Sequence, residues 1–310
     1  MVDVSDQATA ASETRAQTVK VETPFQRFWS EFVESKVALG ALVVLLVIIL
    51  AAIFAPWITP QDPYDLATVS IMDSRMPPGS QAFDGYTFWL GTDGAGRDLY
   101  SAILYGLRVS LSVGVMSAFI ALIVGTSVGL IAAYTGGKVE SVIMRVVDIQ
   151  LSFPAVLIAL ILLALLGKGV DKIIIALVIA QWAYYARTVR GSALVERSKE
   201  YVEAARCLAL PHRRVLFKHI LPNCLAPLIV VVTVQTASAI ALEATLSFLG
   251  VGLPPTEPSL GLLISNGFEY MMSGSYWIAI FPGVALLITI MSINLVGDRL
   301  RDVLNPRLSK

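Results

Sequence analysis

An all-α polytopic membrane protein with six transmembrane helices is the fold class this sequence predicts, and three observations carry it. The 310 residues are 56% hydrophobic and only 15% charged, with a mean hydropathy of +0.72, beyond the usual share for a soluble domain of this size. The apolar residues gather into six runs, at 37–55, 109–133, 149–167, 173–187, 224–245 and 278–296, and roughly 20 such residues cross a ~30 Å hydrocarbon core as a helix. Lys and Arg divide eighteen to five between alternate connecting segments, an asymmetry that places both termini in the cytoplasm. Net charge is zero, so bulk charge points to no nucleic-acid partner.

Residues 1–36 read as a cytoplasmic tail whose polar first 23 residues are expected to be disordered. Phe25, Phe28, Trp29 and Phe32 follow at i, i+3, i+4, i+7 spacing, which predicts a short interfacial helix on the membrane lipid. A 36-residue polar lead is too long for the n-region of a signal peptide, so the run 37–55 is expected to stay as an anchor. That anchor and an external segment make up 37–108. The segment holds GTDGAGRD at 91–98, where Asp93, Arg97 and Asp98 can form an internal network that folds the loop.

The remaining five runs form a core over 109–296. In the first of these, Gly114, Ala118, Ala121, Gly125 and Gly129 share a stripe, and small residues let helices approach closely in lipid. It reads as a packing seam, within the subunit or against a companion. The run 173–187 is short, though Trp182, Tyr184 and Tyr185 suit a membrane interface. In the run 224–245, Gln235, Thr236, Ser238 and Glu243 add polar groups that face either a translocation path or a neighbouring helix. Burying Glu243 costs several kcal/mol unless it is paired or hydrated. Residues 297–310 return to the cytoplasm.

Catalytic and metal constellations are missing from the sequence. No GxxxxGK[ST] phosphate loop, GxSxG elbow or HExxH pair occurs. His212 and His219 have no acid or thiolate at metal spacing, and Cys207 and Cys224 lack CxxC spacing, which favours structural roles. The chain reads as a non-enzyme without a bound cofactor or metal.

The segment 187–222 is different in kind. Its eight Lys and Arg residues satisfy the positive-inside pattern, yet its length accommodates two short helices and a turn. Glu203, Ala204, Ala205 and Leu208 favour a helix that Leu210-Pro211 interrupts, and Val215, Leu216 and Ile220 form the apolar stripe of a second segment ending at Leu221-Pro222. The two alanines leave a flat face that another protein can approach.

The string EAARCLALPHRRVLFKHILP at 203–222 resembles the EAA signature of binding-protein-dependent ABC importer permeases. Glu203, Ala204, Ala205, Leu221 and Pro222 match, whereas Ala209 takes the place of a glycine and His219 that of an isoleucine. Without glycine a positive φ is less comfortable at 209, so the bend is expected at Leu210-Pro211. FWLGTDGAGRDLYSAILYGLRVSL at 88–111, AYTGGKVESVIMRVVDIQLSFP at 133–154, ALEATLSFLGVGLPP at 241–255 and NLVGDRLRDVLNPR at 294–307 narrow the resemblance. They are similar to dipeptide and oligopeptide permeases of the subunit type with an extra N-terminal span.

The resemblance implies the type I ABC importer permease fold in the cell inner membrane. It further implies a homologous second permease, two cytoplasmic ATPase subunits holding ATP and Mg, and an extracytoplasmic binding protein that delivers di- or oligopeptides and for whose docking Asp93, Arg97 and Asp98 are candidates. Glu203, Ala204, Ala205, Arg206, Ala209, Leu221 and Pro222 become the ATPase-coupling residues. Relatives of this family also carry nickel, haem precursors, opines or sugars. A secondary transporter and a membrane hydrolase are the rival classes, and the sequence supplies neither a chain of acids nor a catalytic pair for them.

Overall fold

The computed structural model describes residues 23–304 apart from 64, 66, 68, 83–84, 255–256 and 258. The tail expected to be disordered and the residues from 305 onward lie outside the described residues.

Helix α1 (Pro24–Glu34) starts at a capping box, in which Thr23 Oγ1 accepts from Gln26 N–H at 3.3 Å and Gln26 Oε1 accepts from Thr23 N–H at 3.1 Å. Ser35 then caps α2 (Lys36–Ile53). Phe32 of α1 is buried against Ala38, Ala41 and Val296, while Trp29 remains exposed. A short α3 (Ala55–Ile58) leads into the 59–98 segment, which carries a hairpin of β1 (Ser80–Gln81) and β2 (Thr87–Phe88).

Helix α4 (Leu99–Thr135) has 37 residues, about 55 Å at 1.5 Å per residue. It starts well before the expected boundary at 109, because Asp98 caps it and Leu99, Ala102 and Leu107 are buried in protein rather than in lipid. The expected run 149–167 is not one straight helix. It is split between α5 (Gly137–Leu151) and α6 (Ala155–Leu166), bent by 90° at the break. Pro154 causes the break, since it lacks an N–H and disfavours helix at the preceding Phe153.

Helix α7 (Val170–Arg197) is followed by α8 (Glu200–Cys207), the turn α9 (His212–Arg214), a π-helical stretch Val215–Ile220 and α10 (Leu221–Phe248). Short α11 (Leu260–Phe268) and long α12 (Trp277–Leu304) complete the bundle. Among the described residues, four continuous helices are long and apolar enough to cross a membrane, covering α2, α4, His212–Phe248 and α12, and the bent pair α5–α6 makes up to five. The expected sixth, α7, has the length but not the uniform apolarity. It packs against α4, α5, α6 and α10, so protein rather than lipid covers much of its surface and its polar Gln181 is tolerated.

The glycine stripe of α4 belongs to packing inside this chain. A Cβ at Gly125 would lie 2.3 Å from Trp182 O, one at Gly129 2.5 Å from Ala186 O, and one at Gly114 2.3 Å from Ile240 Cγ1. The seam therefore closes α4 on α7 and α10, and the alternative of a companion subunit falls away for these glycines. Backbone atoms cannot rotate aside as side chains do. Gly129→Val should therefore destabilise the detergent-solubilised protein by about 1–3 kcal/mol, read as a lowered thermal midpoint, whereas Gly191→Ala, with nothing within 4 Å of its added Cβ, should leave the midpoint nearly unchanged.

Candidate functional site

The segment between α7 and α10 folds into a small structured cap on one end of the bundle. Val202 and Ala205 of α8 and Val215 and Ile220 of the π-helical stretch are buried with Tyr185, Val189, Ala193 and Cys224. The opposite face of α8 points out, with Glu203, Ala204, Arg206 and Leu208 exposed and Leu208 75% accessible. Spacing explains the division, because 202 and 205 lie three apart on one face while 204 and 208 lie four apart on the other.

The turn after α8 corrects the expected bend. Ala209 adopts φ +51°, so the chain reverses there and not at Leu210-Pro211. Ala209 N–H donates to Arg206 O at 2.9 Å and Leu210 N–H donates to Ala205 O at 3.2 Å. This pair of bonds is a Schellman cap with alanine where glycine is usual, and its apolar contact is made by Ala205 and Leu210. The contacts around the turn hold the left-handed residue despite its Cβ, at a cost of roughly 1–2 kcal/mol.

The second segment does not stop at Leu221-Pro222. It runs through the π-helical turn into α10, with Leu221 N–H donating to Leu216 O. Pro222 has no N–H to offer, and Asn223 Nδ2 donates to His219 O at 2.8 Å. Tyr201 binds the same region from α8: its hydroxyl donates to Glu196 Oε2 at 2.6 Å, accepts from Asn223 Nδ2 at 3.1 Å and lies 3.3 Å from His219 O. Lys199 Nζ reaches Glu196 Oε1 at 2.6 Å. Burial pushes the Glu196 carboxyl up, but the bonds from Lys199 and Tyr201 outweigh it and hold the group below the usual range, while burial and Glu196 push Tyr201 up to about 12. Sequence reasoning missed this knot, whose parts are scattered from 196 to 223 and have no common motif.

Neighbouring contacts brace α7 beneath the cap and join the cap to α4. Arg197 donates to Ala133 O at 2.7 Å, Arg190 to Glu140 Oε1 at 2.5 and 2.8 Å, and Arg187 to Asp148 Oδ1 at 2.6 Å. Arg206 lies over the Tyr134 ring at 5.4 Å, and the Tyr134 hydroxyl meets His212 Nδ1. These groups border a cleft of about 600 Å³. Five of the eight basic residues in this segment thus have specific partners, which a purely solvated positive loop does not require.

The polar residues of α10 separate. Glu243 is fully buried and accepts from Ser110 Oγ at 2.8 Å and Ser247 Oγ at 2.7 Å. It meets neighbouring elements, not an open passage. Thr236 spends its hydroxyl on Val232 O at 2.7 Å and Ser238 is exposed, whereas Gln235 lines a cleft of about 400 Å³ between α7 and α10. The four do not form one stripe.

In the 59–98 segment, the side chains considered for docking turn inward. Asp93 is 2% exposed, pairs with Arg97 Nε at 2.7 Å and accepts from the N–H groups of Ala95 and Arg97 at 2.8 and 2.9 Å. Asp98 accepts from Ser101 N–H at 2.9 Å and Ser101 Oγ at 2.5 Å, with its other oxygen buried and unpaired. These groups fold the loop and start α4. Among the described residues no group of three or more His, Cys, Asp or Glu could hold a metal, and Cys207 and Cys224 are free thiols.

Two stability measurements check this geometry. Ala209→Gly should relieve the left-handed turn and raise stability by about 1 kcal/mol, seen as a higher melting midpoint. At Asp98, burial raises the carboxyl pKa against the lowering pull of Ser101, so its contribution to stability is fully present below the unfolded-state pKa and is lost as pH rises through the folded-state pKa. Asp98→Asn keeps a capping oxygen and should flatten that pH dependence, while Asp98→Ala should also flatten it and, below the folded-state pKa, lose about 1 kcal/mol through the missing cap.

Comparison with known proteins accords with this architecture. Residues 125–310 match the family profile of the binding-protein-dependent transport system inner membrane component, and residues 23–78 match the N-terminal TM domain of oligopeptide transport permease C. The di/tripeptide transport system permease protein DppC of Pseudomonas aeruginosa is 38% identical over 287 residues, 92% of this chain and 93% of that one. The dipeptide transport system permease protein DppC of Escherichia coli is 40% identical, covering 93% of this chain and 95% of its own. The glutathione transport system permease protein GsiD of Pectobacterium atrosepticum is 35% identical, covering 93% of each. A chain of the inward-facing MetNI methionine ABC transporter shares the fold, with a TM-score of 0.55 at 21% identity over 67% of this chain and 98% of that chain. With the bundle, its extra N-terminal helices and the structured cap all accounted for, the chain belongs to the inner-membrane permease family of binding-protein-dependent ABC transport systems.

Proposed function

We propose that this permease imports di- or oligopeptides delivered by an extracytoplasmic binding protein, and that the exposed face of α8 is its contact with a cytoplasmic ATPase subunit. The cap of 199–222 carries this reading: a rigid apolar base holds an outward face of Glu203, Ala204, Arg206 and Leu208. The Lys and Arg asymmetry supports placing that end and both termini in the cytoplasm. A second homologous permease covers the remaining bundle surface, and two ATPase subunits hold ATP and Mg, since this chain has no phosphate loop.

Roles within the 203–222 signature then divide by burial. Glu203, Ala204 and Arg206 meet the partner, Ala205 and Leu221 pack the base, and Ala209 and Pro222 shape the backbone. ATP-driven closure of the ATPases pushes on α8, and the knot around Glu196, Tyr201 and Asn223 passes the displacement to α7 and α10 together. Each state of the bundle is then favoured by different contacts, as alternating access requires. Peptide cargo is supported by the names of the DppC relatives, and the glutathione relative shows that a tripeptide lies within the same range of similarity.

Leu208 is the position to test, because Ala205 is 4% exposed and a charge there would disrupt the base itself. In proteoliposomes holding the assembled transporter, Leu208→Glu should cut ATP-driven dipeptide uptake by roughly tenfold, the scale of one lost buried anchor, with the melting midpoint of this subunit unchanged. Full uptake and full binding-protein stimulation of ATP hydrolysis in that variant would remove α8 from the docking surface.

A further inference from the structure

We infer that the cleft between α7 and α10, with the Arg187–Asp148 ion pair at its edge, is the inward-side stretch of the peptide path, and that Arg187 meets the peptide carboxylate there. The inference rests on the import reading above and assigns residues to the path in place of Ser238 and Glu243. The cleft is about 400 Å³ and is lined by Tyr184, Arg187, Thr188, Val230, Val234 and Gln235 among others, within the size class of small-ligand sites. Its walls are α7 and α10, both reaching the proposed coupling cap, with Leu151 of α5 at one side.

Lipid does not suit this surface. Gln235 lies 14 residues into α10 (235 − 221), about 21 Å from the start of that helix. Behind it the buried Gln181 amide donates to Gln235 O at 3.4 Å, while Gln181 Oε1 has no partner. Both amides are buried in the protein behind the cleft, whereas the Arg187–Asp148 pair is exposed at its edge, and charged groups facing hydrocarbon cost several kcal/mol, so they face a cavity or one another. The Arg187 and Asp148 side chains are 52% and 58% exposed, open enough to exchange partners.

Charge complementarity selects the occupant. A short peptide in water is a zwitterion, with a carboxylate at one end and an ammonium at the other. Arg187 offers a planar donor fork to the first, and Asp148, released from Arg187, offers oxygens to the second. Val230, Val231 and Val234 supply a smooth apolar wall without a shaped pocket, which suits passage of varied side chains. One pair of charges that can close on itself also keeps the empty cleft from holding an unpaired charge.

Two arms in the assembled transporter test this. Val234→Cys, at an exposed position of the cleft wall, should react with a membrane-impermeant cationic thiol reagent applied from the cap side in the nucleotide-free state, the adduct being read at residue 234 by mass spectrometry. Arg187→Gln should reduce uptake of an unmodified dipeptide roughly tenfold, the scale of one charge-assisted hydrogen bond, while binding-protein-stimulated ATP hydrolysis and the melting midpoint stay at wild-type values and Arg187→Lys recovers part of the uptake. No labelling at 234 would mean that lipid or the second permease fills the cleft, and overturns the inference. A parallel fall of uptake, ATP hydrolysis and midpoint in Arg187→Gln would make the ion pair a structural brace and overturns it as well. Absence of peptide uptake by the wild-type assembly would instead defeat the import reading, and the labelling arm would still decide whether the cleft is open to water.

Discussion

The backbone contact of α4 with α7 is the constraint on which the rest of the structure depends. Gly125 and Gly129 bring α4 against the carbonyls of Trp182 and Ala186 with no room for a methyl group. In lipid no hydrophobic force drives such a pair together, so close packing of small residues has to supply the association. Once the pair is closed, Tyr185 and Val189 of α7 are committed to the buried base beneath the cap, and Tyr184 and Thr188 border the cleft toward α10. The contact thus sets which face of α7 serves stability and which is left for function.

The fold was legible in the sequence wherever one physical signal acted alone. Apolar runs gave α2, α4, α10 and α12, and the small-residue stripe gave the seam. The break at Pro154 was missed because a hydropathy window sums residues without regard to backbone geometry, and 149–167 is apolar on both sides of the proline. The run 173–187 was read as a span but a short one, because α7 (Val170–Arg197) is surrounded largely by protein and carries polar residues that hydropathy counts against it. In the cap, the residues of the helix and the apolar stripe could be read, but the turn could not. Propensity argued against a left-handed alanine, and the Schellman bonds with the Ala205–Leu210 contact overrode it.

Polar residues were harder to place than apolar ones, because their sequence pattern does not say which partners they find. Asp93, Arg97 and Asp98 look like an exposed charged loop, yet each acid accepts backbone N–H bonds, and the segment is folded around them. Glu243 looked like a path residue because an isolated acid in an apolar helix demands an explanation. Ser110, 133 residues away, provides that explanation together with Ser247 on the same helix. Only the fold reveals a partner at that separation.

The two ends of the bundle are consequently held by different kinds of interaction. Away from the cap, the joints are dry: Glu243 is closed off by serines, Thr92 Oγ1 donates to Asp73 O at 2.5 Å, and Gly261 packs where a Cβ would lie 2.2 Å from Ala244 O. Such contacts have no substitute partner nearby, so moving them exposes unsatisfied polar groups or opens voids. At the cap end, Arg187, Arg190 and Lys199 hold their acids from partly exposed positions, where ion pairs are individually weak and water can replace either partner. A displacement applied to α8 therefore meets joints that can exchange before it meets joints that cannot. On the coupling proposed for α8, that ordering would let work applied at the cap change the packing of α5, α7 and α10 before it disturbs the far end.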